Sequence, residues 1–157
     1  MGFRAAALTN PDKPAIVMLE SGETVSYGEL SDRADQYANF FRRLGFQTGD
    51  SIAFTLENCP EFFAVCIGAL RAGLYYTAIS SYLSPAETRY IVEDCGARMY
   101  ICSAKYQLRA EELGETLSSE MHLFSLGGGI PGYPPLEAEV STMPAAAISR
   151  AAPILST

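Results

Sequence analysis

Apolar and polar positions alternate along the chain with two different periods. Apolar residues recur every three or four positions from Leu30 to Leu44, which puts one apolar stripe along a predicted helix. Shorter apolar runs with the character of β-strands occur further on, namely SIAFTLE, LYYTAI, ARMYIC and MHLFSL. Helical segments separate these runs. The order predicts an α/β fold: a mostly parallel sheet with helices on both faces.

The ends of the predicted helices carry recognisable signals. Ser26 with Glu29, and Ser84 with Glu87, form capping boxes in which side chain and backbone satisfy each other's free groups. Asn58 is the expected cap of a further helix, because a proline follows within its first turn. Glycines that suit a left-handed helix terminus follow three of the helices, at Gly45, Gly73 and Gly96.

The helical segments also differ in which faces they should bury. FFAVCIGAL is apolar nearly all round, so we expect its helix to be deeply buried. In the next helix, Ile91 and Cys95 mark the expected inner face. The segment YQLRAEELGETLSS predicts an amphipathic helix that contains a weak point at Gly114.

Turn residues divide the chain into three parts. Residues 1–14 read as a lead-in with a short Ala-rich turn. Residues 15–126 form the predicted α/β unit, which opens with a β-hairpin because Ser21-Gly22 separates the β-rich runs AIVMLE and ETVSY. Residues 127–157 are a Gly/Pro-rich, poorly regular tail, in which LEAEVSTM suits one or two helical turns and PAAAISRAAPILST suits no regular element.

Composition and charge exclude several classes of function. A net charge of −7 and only 11 basic residues, scattered along the chain, argue against a nucleic-acid partner. The pair Arg42-Arg43 reads as a solvated helix face. No apolar run reaches the ~18 residues of a membrane span. We expect a cytoplasmic protein without a transmembrane segment.

The cysteines and the single histidine indicate no metal or redox site. Cys59, Cys66, Cys95 and Cys102 lack C-x-x-C spacing, which favours free thiols in a reducing compartment. Cys66 and Cys102 lie in apolar segments and should be buried. His122 has no cysteine or carboxylate beside it in the sequence, so we do not expect a ligand or a base.

Open parallel sheets bind ligands at the carboxyl ends of their strands, so the residues that follow each strand are the first candidates for a site. They include Glu57, Asn58, Lys105 and the glycines 127–129. Helix capping explains Asn58 as it explains Ser84, Lys105 reads as a solvated lysine, and no helix follows the glycines to bind a phosphate.

Other arrangements that could carry chemistry are also incomplete. The adjacent carboxylates at 93–94 and 111–112 diverge by ~100° around their helices and read as solvated faces. The motifs G-x-S-x-G and G-x-x-x-x-G-K-[ST] do not occur in the sequence. We therefore predict no catalytic, cofactor-binding or metal-binding residue within these 157 positions.

An ordered series of segments resembles a known family. PDKPAIV is followed by TVSYGELSDRADQYANFFRRLGFQTGDSIAFTLENCPEF and by GALRAGLYYTAISSYLSPAETRYIVEDCGARMYIC. Together they are similar to the N-terminal part of the acyl- and aryl-CoA synthetases, in the adenylate-forming (AMP-binding) ligase superfamily. The similarity runs from Pro11 to Lys105 and looks closest to the fatty-acyl branch.

The resemblance implies a two-step reaction. A carboxylic or fatty acid attacks the α-phosphate of ATP, giving an acyl-adenylate and pyrophosphate, and Mg²⁺ neutralises the phosphates. The thiol of coenzyme A then displaces AMP. The resemblance also implies that the rest of the same polypeptide is a partner of this unit.

One departure from the family pattern decides what to expect of this chain. The family's phosphate loop, [ST]-[ST]-G-[ST]-[ST]-G-x-P-K, does not occur, and the ribose-binding aspartate and catalytic lysine have no counterpart. We expect the front end of a longer ligase, inactive alone and without bound cofactors. Self-association through an apolar face left open by truncation is a further expectation.

Two other interpretations stay open at this point. A stand-alone doubly wound binding module would use the same fold without enzymatic activity. A thiol-based redox protein is a third possibility, which the cysteine spacing supports poorly.

Overall fold

A computed structural model describes residues 2–148 of the protein. The α-helices are α1 to α6 in chain order, at Phe3–Thr9, Tyr27–Arg43, Pro60–Arg71, Pro85–Asp94, Gln107–Gly114 and Leu136–Val140. The strands are β1 to β6, at Pro14–Val17, Thr24–Ser26, Ser51–Thr55, Tyr75–Ala78, Ala97–Ser103 and His122–Leu126. The predicted alternation of helix and strand from α2 to β6 is confirmed.

Four strands form one parallel sheet in the order β4-β3-β5-β6, while β1 and β2 pair antiparallel as the predicted hairpin. The central strand β3 is buried along its whole length. From β3 the chain first passes to β4 on one side and then crosses back to β5 on the other. The carboxyl ends of β3 and β5 therefore form the switch point of the sheet.

Helices cover both faces of the sheet, as predicted. One face, the α2/α3 face, carries a core rich in phenylalanine, including the edge-to-face pair of Phe40 and Phe124 with ring centroids 5.4 Å apart. The other, the α4/α5 face, is built on Ala53, Tyr100 and Val92. In α4 the fully buried positions are Thr88 and Val92, so the inner face is offset from the expected Ile91 and Cys95, which are only half-buried.

The predicted termini of α2, α3 and α4 are confirmed with one exception. Both capping boxes form, at Ser26 and at Ser84, and positive φ angles follow three helices at Gly45, Gly73 and Gly96. Asn58 does not cap α3: that helix begins at Pro60, its N-cap residue is Cys59, and no side chain caps it. The prediction failed because the chain takes one more extended residue before turning.

The lead-in predicted as an Ala-rich turn is instead the helix α1, which packs on α2. Its Arg4 reaches Asp35 of α2 with a pair of hydrogen bonds of 3.1 and 2.7 Å, and Arg71 of α3 binds the same carboxylate at 3.0 Å. Asp35 is buried, and Arg71 also donates to the carbonyl and the hydroxyl of Ser31. This Asp35 cluster joins three helices.

Helices α2 and α3 approach closely at Gly68. A Cβ placed there would lie 2.5 Å from Cβ of Tyr37 and 2.9 Å from the Ala34 carbonyl oxygen. On the side of α3 away from α2, however, Phe63 and Leu70 are 50% and 62% exposed. The expectation that FFAVCIGAL is buried all round is therefore wrong for one side of the helix.

Two further expectations need correction. Helix α5 ends at Gly114 instead of running through residue 119, and its predicted first residue, Tyr106, belongs to a short 3-10 turn. Arg42 does not simply face solvent: its guanidinium donates to the carbonyls of Phe46 and Ala72, at the ends of α2 and α3.

Beyond residue 127 the chain is irregular but still contributes to the core. Tyr133, Leu136 and Val140 are buried, and α6 forms where LEAEVSTM predicted a turn or two of helix. The part of PAAAISRAAPILST from residue 149 onwards lies outside the described residues. The division at residues 14 and 126 remains a prediction about folding units.

Candidate functional site at the carboxyl edge of the sheet

The switch point between β3 and β5 gathers the polar residues that follow these strands. The Ser103 hydroxyl donates to the Glu57 carboxylate at 3.1 Å, and Lys105 Nζ lies 3.6 Å from the other oxygen of that carboxylate. Lys105 is largely exposed, as predicted, but it is also paired. The sequence placed Glu57 and Lys105 at strand ends, but their pairing depends on β3 and β5 being neighbours in the sheet.

A groove of about 850 Å³ opens beside this pair. Its walls are the hairpin turn from Val17 to Glu20, the ends of β3 and β4, and the segment at Lys105. The volume falls within the range of about 300–1,000 Å³ that is typical of ligand pockets. Asn58, free of any capping role, lines this groove and is exposed.

Behind the groove, the start of α3 is tied to α2 through Glu61. Tyr37 donates from its hydroxyl to Glu61 at 2.5 Å, and Arg33 binds the other carboxylate oxygen at 3.1 Å. Burial, together with the nearby carboxylate, raises the pKa of Tyr37 well above its usual value, so the phenol keeps its proton and acts as a donor. The sequence assigned Tyr37 only to an apolar stripe and missed this contact.

The glycine turn at 127–129 does not present a free phosphate cradle. The Gly127 amide donates to the carboxylate of Glu137, so an acceptor already occupies that donor. Gly127 and Gly128 have positive φ, as a tight turn requires. A nucleotide phosphate here would meet the Glu137 charge, so these residues do not fit a phosphate group.

The thiols offer no activated nucleophile in the described part of the chain. Cys66 and Cys102 are buried as predicted, and burial raises the pKa of both, that of Cys102 to about 11. Burial also raises the pKa of Cys59. Thiols with raised pKa values are poor nucleophiles at neutral pH.

The remaining candidates are far from any shared centre. His122 begins β6 at the opposite edge of the sheet and packs its ring 5.7 Å from that of Phe46. Glu93 pairs with Arg89, and Glu111 accepts a hydrogen bond from Gln107. Within residues 2–148, no three His, Cys, Asp or Glu side chains come together as a metal site would need.

Comparison with known proteins assigns the family. The model of the family described as AMP-binding enzyme matches residues 3–142, so the chain belongs to that family. A 3-hydroxybenzoate–CoA ligase of Aromatoleum sp. (strain CIB) is 30% identical over 107 residues, covering 68% of this chain and 20% of that protein. A crotonobetaine/carnitine–CoA ligase of Citrobacter koseri is 31% identical over 125 residues, covering 76% and 24%.

Solved structures agree with this assignment. A benzoate CoA ligase from Burkholderia xenovorans LB400 has a TM-score of 0.79 at 26% identity, covering 96% of this chain and 29% of that one. The anthranilate CoA ligase AuaEII has a TM-score of 0.82 at 21% identity, which shows the shared fold, over 92% and 27% of the chains. The chain thus spans about a fifth to a quarter of the curated relatives cited above.

Helices of the described segment are too short or too polar to cross a membrane.

Proposed function

We propose that this chain is the front part of an acid–thiol ligase and supplies scaffold to it. In the parent protein a carboxylic acid, ATP and coenzyme A would react by way of an acyl-adenylate, with Mg²⁺ on the phosphates. Support comes from the family match over residues 3–142 and from the names of the relatives, which include CoA ligases of aromatic acids and of carnitine. We assign the substrate class as small or fatty carboxylic acids.

The 157 residues alone should not catalyse adenylation. The carboxyl edge, where α/β sheets bind ligands, holds Glu57 paired to Ser103 and Lys105, and its glycine turn faces Glu137. Among residues 2–148, no cluster of free positive charge lies at this edge to stabilise the phosphates of ATP. It can still form one wall of a cleft whose reactive groups come from elsewhere in the parent.

The activity test is exchange of radiolabelled pyrophosphate into ATP with a panel of aromatic and fatty acids. We expect no exchange above a heat-denatured sample of the same chain. The Burkholderia xenovorans benzoate CoA ligase serves as the positive control. Exchange that depends on an added acid would overturn the proposal that this unit is inactive alone.

Inactivity alone would not distinguish a ligase segment from a stand-alone binding module. One observation, the exposed apolar side of α3, favours the stand-alone module. An antiserum against the chain separates the two in extracts of the source cells. A ligase segment predicts a band about three times the 17.0 kDa of this chain, because 76% of the chain covers 24% of a typical relative. A band at 17.0 kDa would favour the module.

The cytoplasmic location expected from the sequence stays a prediction. The same antiserum would test it by cell fractionation. Recovery with membranes after a high-salt wash would contradict it.

A further inference from the structure

The two sides of α3 differ sharply. Toward α2, the helix presents Gly68 to a close backbone contact, and its two charged residues, Glu61 and Arg71, pair with α2 side chains. On the opposite side, Phe63, Ile67 and Leu70 recur at spacings of four and three and form one apolar stripe. Phe63 and Leu70 are largely exposed there. We call these three residues the α3 stripe.

Strand β4 lies beside this stripe and has a free edge. The amides of Tyr75 and Ile79 bind carbonyls of Asp50 and Phe54 beside β3. Since hydrogen-bonding direction alternates along a strand, the backbone groups of Tyr76 and Ala78 point away from β3. Among residues 2–148 no strand pairs with that side of β4. A free edge without charge, proline or bulge is a template for pairing with another strand.

The α3 stripe and the β4 edge form one continuous surface. The ring of Tyr76 stacks on Phe54 with centroids 6.0 Å apart, and Phe54 in turn packs edge-to-face on Phe62 of α3 with centroids 5.2 Å apart. Tyr76, which lies on the same sheet face as α3, adds exposed aromatic area, with 38% of the residue accessible. Apolar area of this kind, joined to unpaired backbone groups, is typical of a protein–protein contact.

Charge limits what can cover this surface. The chain has a net charge of −7, so two copies repel each other over most of their surfaces. Residues 60–78 contain only two charged side chains, Glu61 and Arg71, and both are engaged by α2. The surface is therefore uncharged and is compatible with its own copy, with no like charges brought together on the two elements.

We propose that two copies of this chain associate through β4 and the α3 stripe, with their β4 strands antiparallel about a twofold axis. When Thr77 lies opposite Thr77 of the second copy, Tyr76 is directly opposite Ala78 and every outward backbone group of the strand is paired. The two four-stranded sheets then become one continuous sheet of eight strands. The α3 stripes approach each other across the seam on the same sheet face. This association does not depend on the ligase role.

The first test measures mass by light scattering and sedimentation over a wide concentration series of the 157-residue chain. We expect twice the 17.0 kDa of one chain at high concentration. Leu70→Arg should raise the dissociation constant at least about tenfold, because the dimer buries an unpaired charge. Leu108→Arg is the matched control, since Leu108 is 82% exposed on α5 and outside the surface. Circular dichroism and thermal melts verify that both variants fold.

The second test reports on the register. Thr77→Cys should cross-link to a disulfide dimer under oxidised glutathione, because a non-hydrogen-bonded antiparallel pair brings the Cα atoms to about 4.5 Å, within disulfide reach. The unsubstituted chain, with its four native thiols, is the control and should stay uncross-linked. Leu70→Arg added to Thr77→Cys should suppress the cross-link.

Each outcome decides the proposal. A dimer that Leu70→Arg dissociates and Leu108→Arg leaves intact supports it, as does the cross-link through Cys at position 77. A chain that stays monomeric throughout overturns it, and assigns the surface to another occupant such as further strands of a longer polypeptide. A dimer that neither arginine variant weakens also overturns it, because the contact then lies elsewhere.

Discussion

The helices on the two faces of the sheet are held in place by different interactions. On the α2/α3 face, long helices pack at a glycine contact and enclose charged groups, with Asp35 between Arg4 and Arg71. On the α4/α5 face the helices are shorter, and the buried polar contacts are neutral, such as the Tyr100 hydroxyl on Thr55 at 2.7 Å. The α2/α3 face should therefore be sensitive to loss of charge and to added volume. On the α4/α5 face, the buried thiol and phenols should make stability depend on alkaline pH, as buried phenol and thiol groups also do on the α2/α3 face.

The largest expected effect is the loss of the Asp35 carboxylate. Asp35→Ala leaves Arg71, whose side chain is 12% exposed, without its carboxylate partner. We expect the free energy of unfolding to fall by about 3 kcal/mol, the usual cost of breaking a buried pair. Urea unfolding followed by circular dichroism measures it.

The control on the other face is Glu93→Ala, which removes an exposed i,i+4 pair with Arg89 on α4. Such a pair contributes at most about 0.5 kcal/mol. Equal losses in the two variants would mean that the Asp35 cluster does not hold α1, α2 and α3 together.

Added volume at the glycine contact should come next. Gly68→Ala forces a Cβ to 2.5 Å from Cβ of Tyr37 and against a backbone carbonyl, so we expect a loss of about 2 kcal/mol. In Gly114→Ala, on α5, the new Cβ meets only ring atoms of Tyr133 at 3.1 Å and gains helix propensity, so the loss should stay below about 1 kcal/mol. Thermal melts of the two variants measure both losses of stability. A larger loss for Gly114→Ala than for Gly68→Ala would contradict the prediction.

A smaller difference should separate two tyrosine hydroxyls. Tyr37→Phe removes a hydrogen bond to the Glu61 carboxylate, which is expected to cost about 1.5 kcal/mol. Tyr100→Phe removes a neutral bond to the Thr55 hydroxyl, with an expected cost of about 1 kcal/mol. Chemical unfolding of both variants at pH 7 tests the ranking. If Tyr100→Phe is the more damaging, the charged acceptor Glu61 does not make the Tyr37 bond the stronger of the two.

The effect that is smallest at neutral pH is the pH dependence from the α4/α5 face. Burial raises the pKa of the Cys102 thiol from 9.0 to about 11, and it also raises the pKa values of Tyr100 and Tyr133. The unfolded chain loses these protons first. The contribution of the thiol is therefore complete below pH 9 and is lost as the pH rises toward 11, while that of the two tyrosines starts to be lost only above pH 10. The urea midpoint should fall over that interval.

Replacing Cys102 tests whether its thiol causes this pH dependence. Cys102→Ala should make the urea midpoint less dependent on pH between 9 and 11, whatever its effect on stability at pH 8. Val92→Ala, which removes apolar volume but no titratable group from the same face, is the control and should keep the original dependence. An unchanged slope in Cys102→Ala would assign the alkaline loss to other groups.

Local signals made much of the fold predictable. The capping boxes at Ser26 and Ser84 formed as expected, because each needs only residues within three positions. The glycine termini and the alternation of helix and strand have equally short range. Asn58 failed as a cap since a single extra extended residue moves the N-cap to Cys59, and nothing in the local sequence fixes that choice.

Longer-range features escaped prediction. Helix α1 is only seven residues long and would be marginal alone, but it is fixed by Arg4 on Asp35 and by Phe3 packing on Tyr27. Gly114 ends α5, although glycine within a helical pattern is often tolerated. Among the candidate site residues, Glu57 and Lys105 were correctly placed at strand ends, while their pairing followed from strand order.

The sequence by itself determined the class of fold, the caps and most element positions, because these depend on periodicity and on contacts within one helical turn. It also carried the family resemblance that the comparisons confirmed. Tertiary structure alone decided which strands are neighbours, and so brought Glu57 to Ser103 and Lys105. It also decided that α3, apolar all round in sequence, is covered by α2 on one side only, since a helix cannot encode in its own residues which of its sides will meet a neighbour.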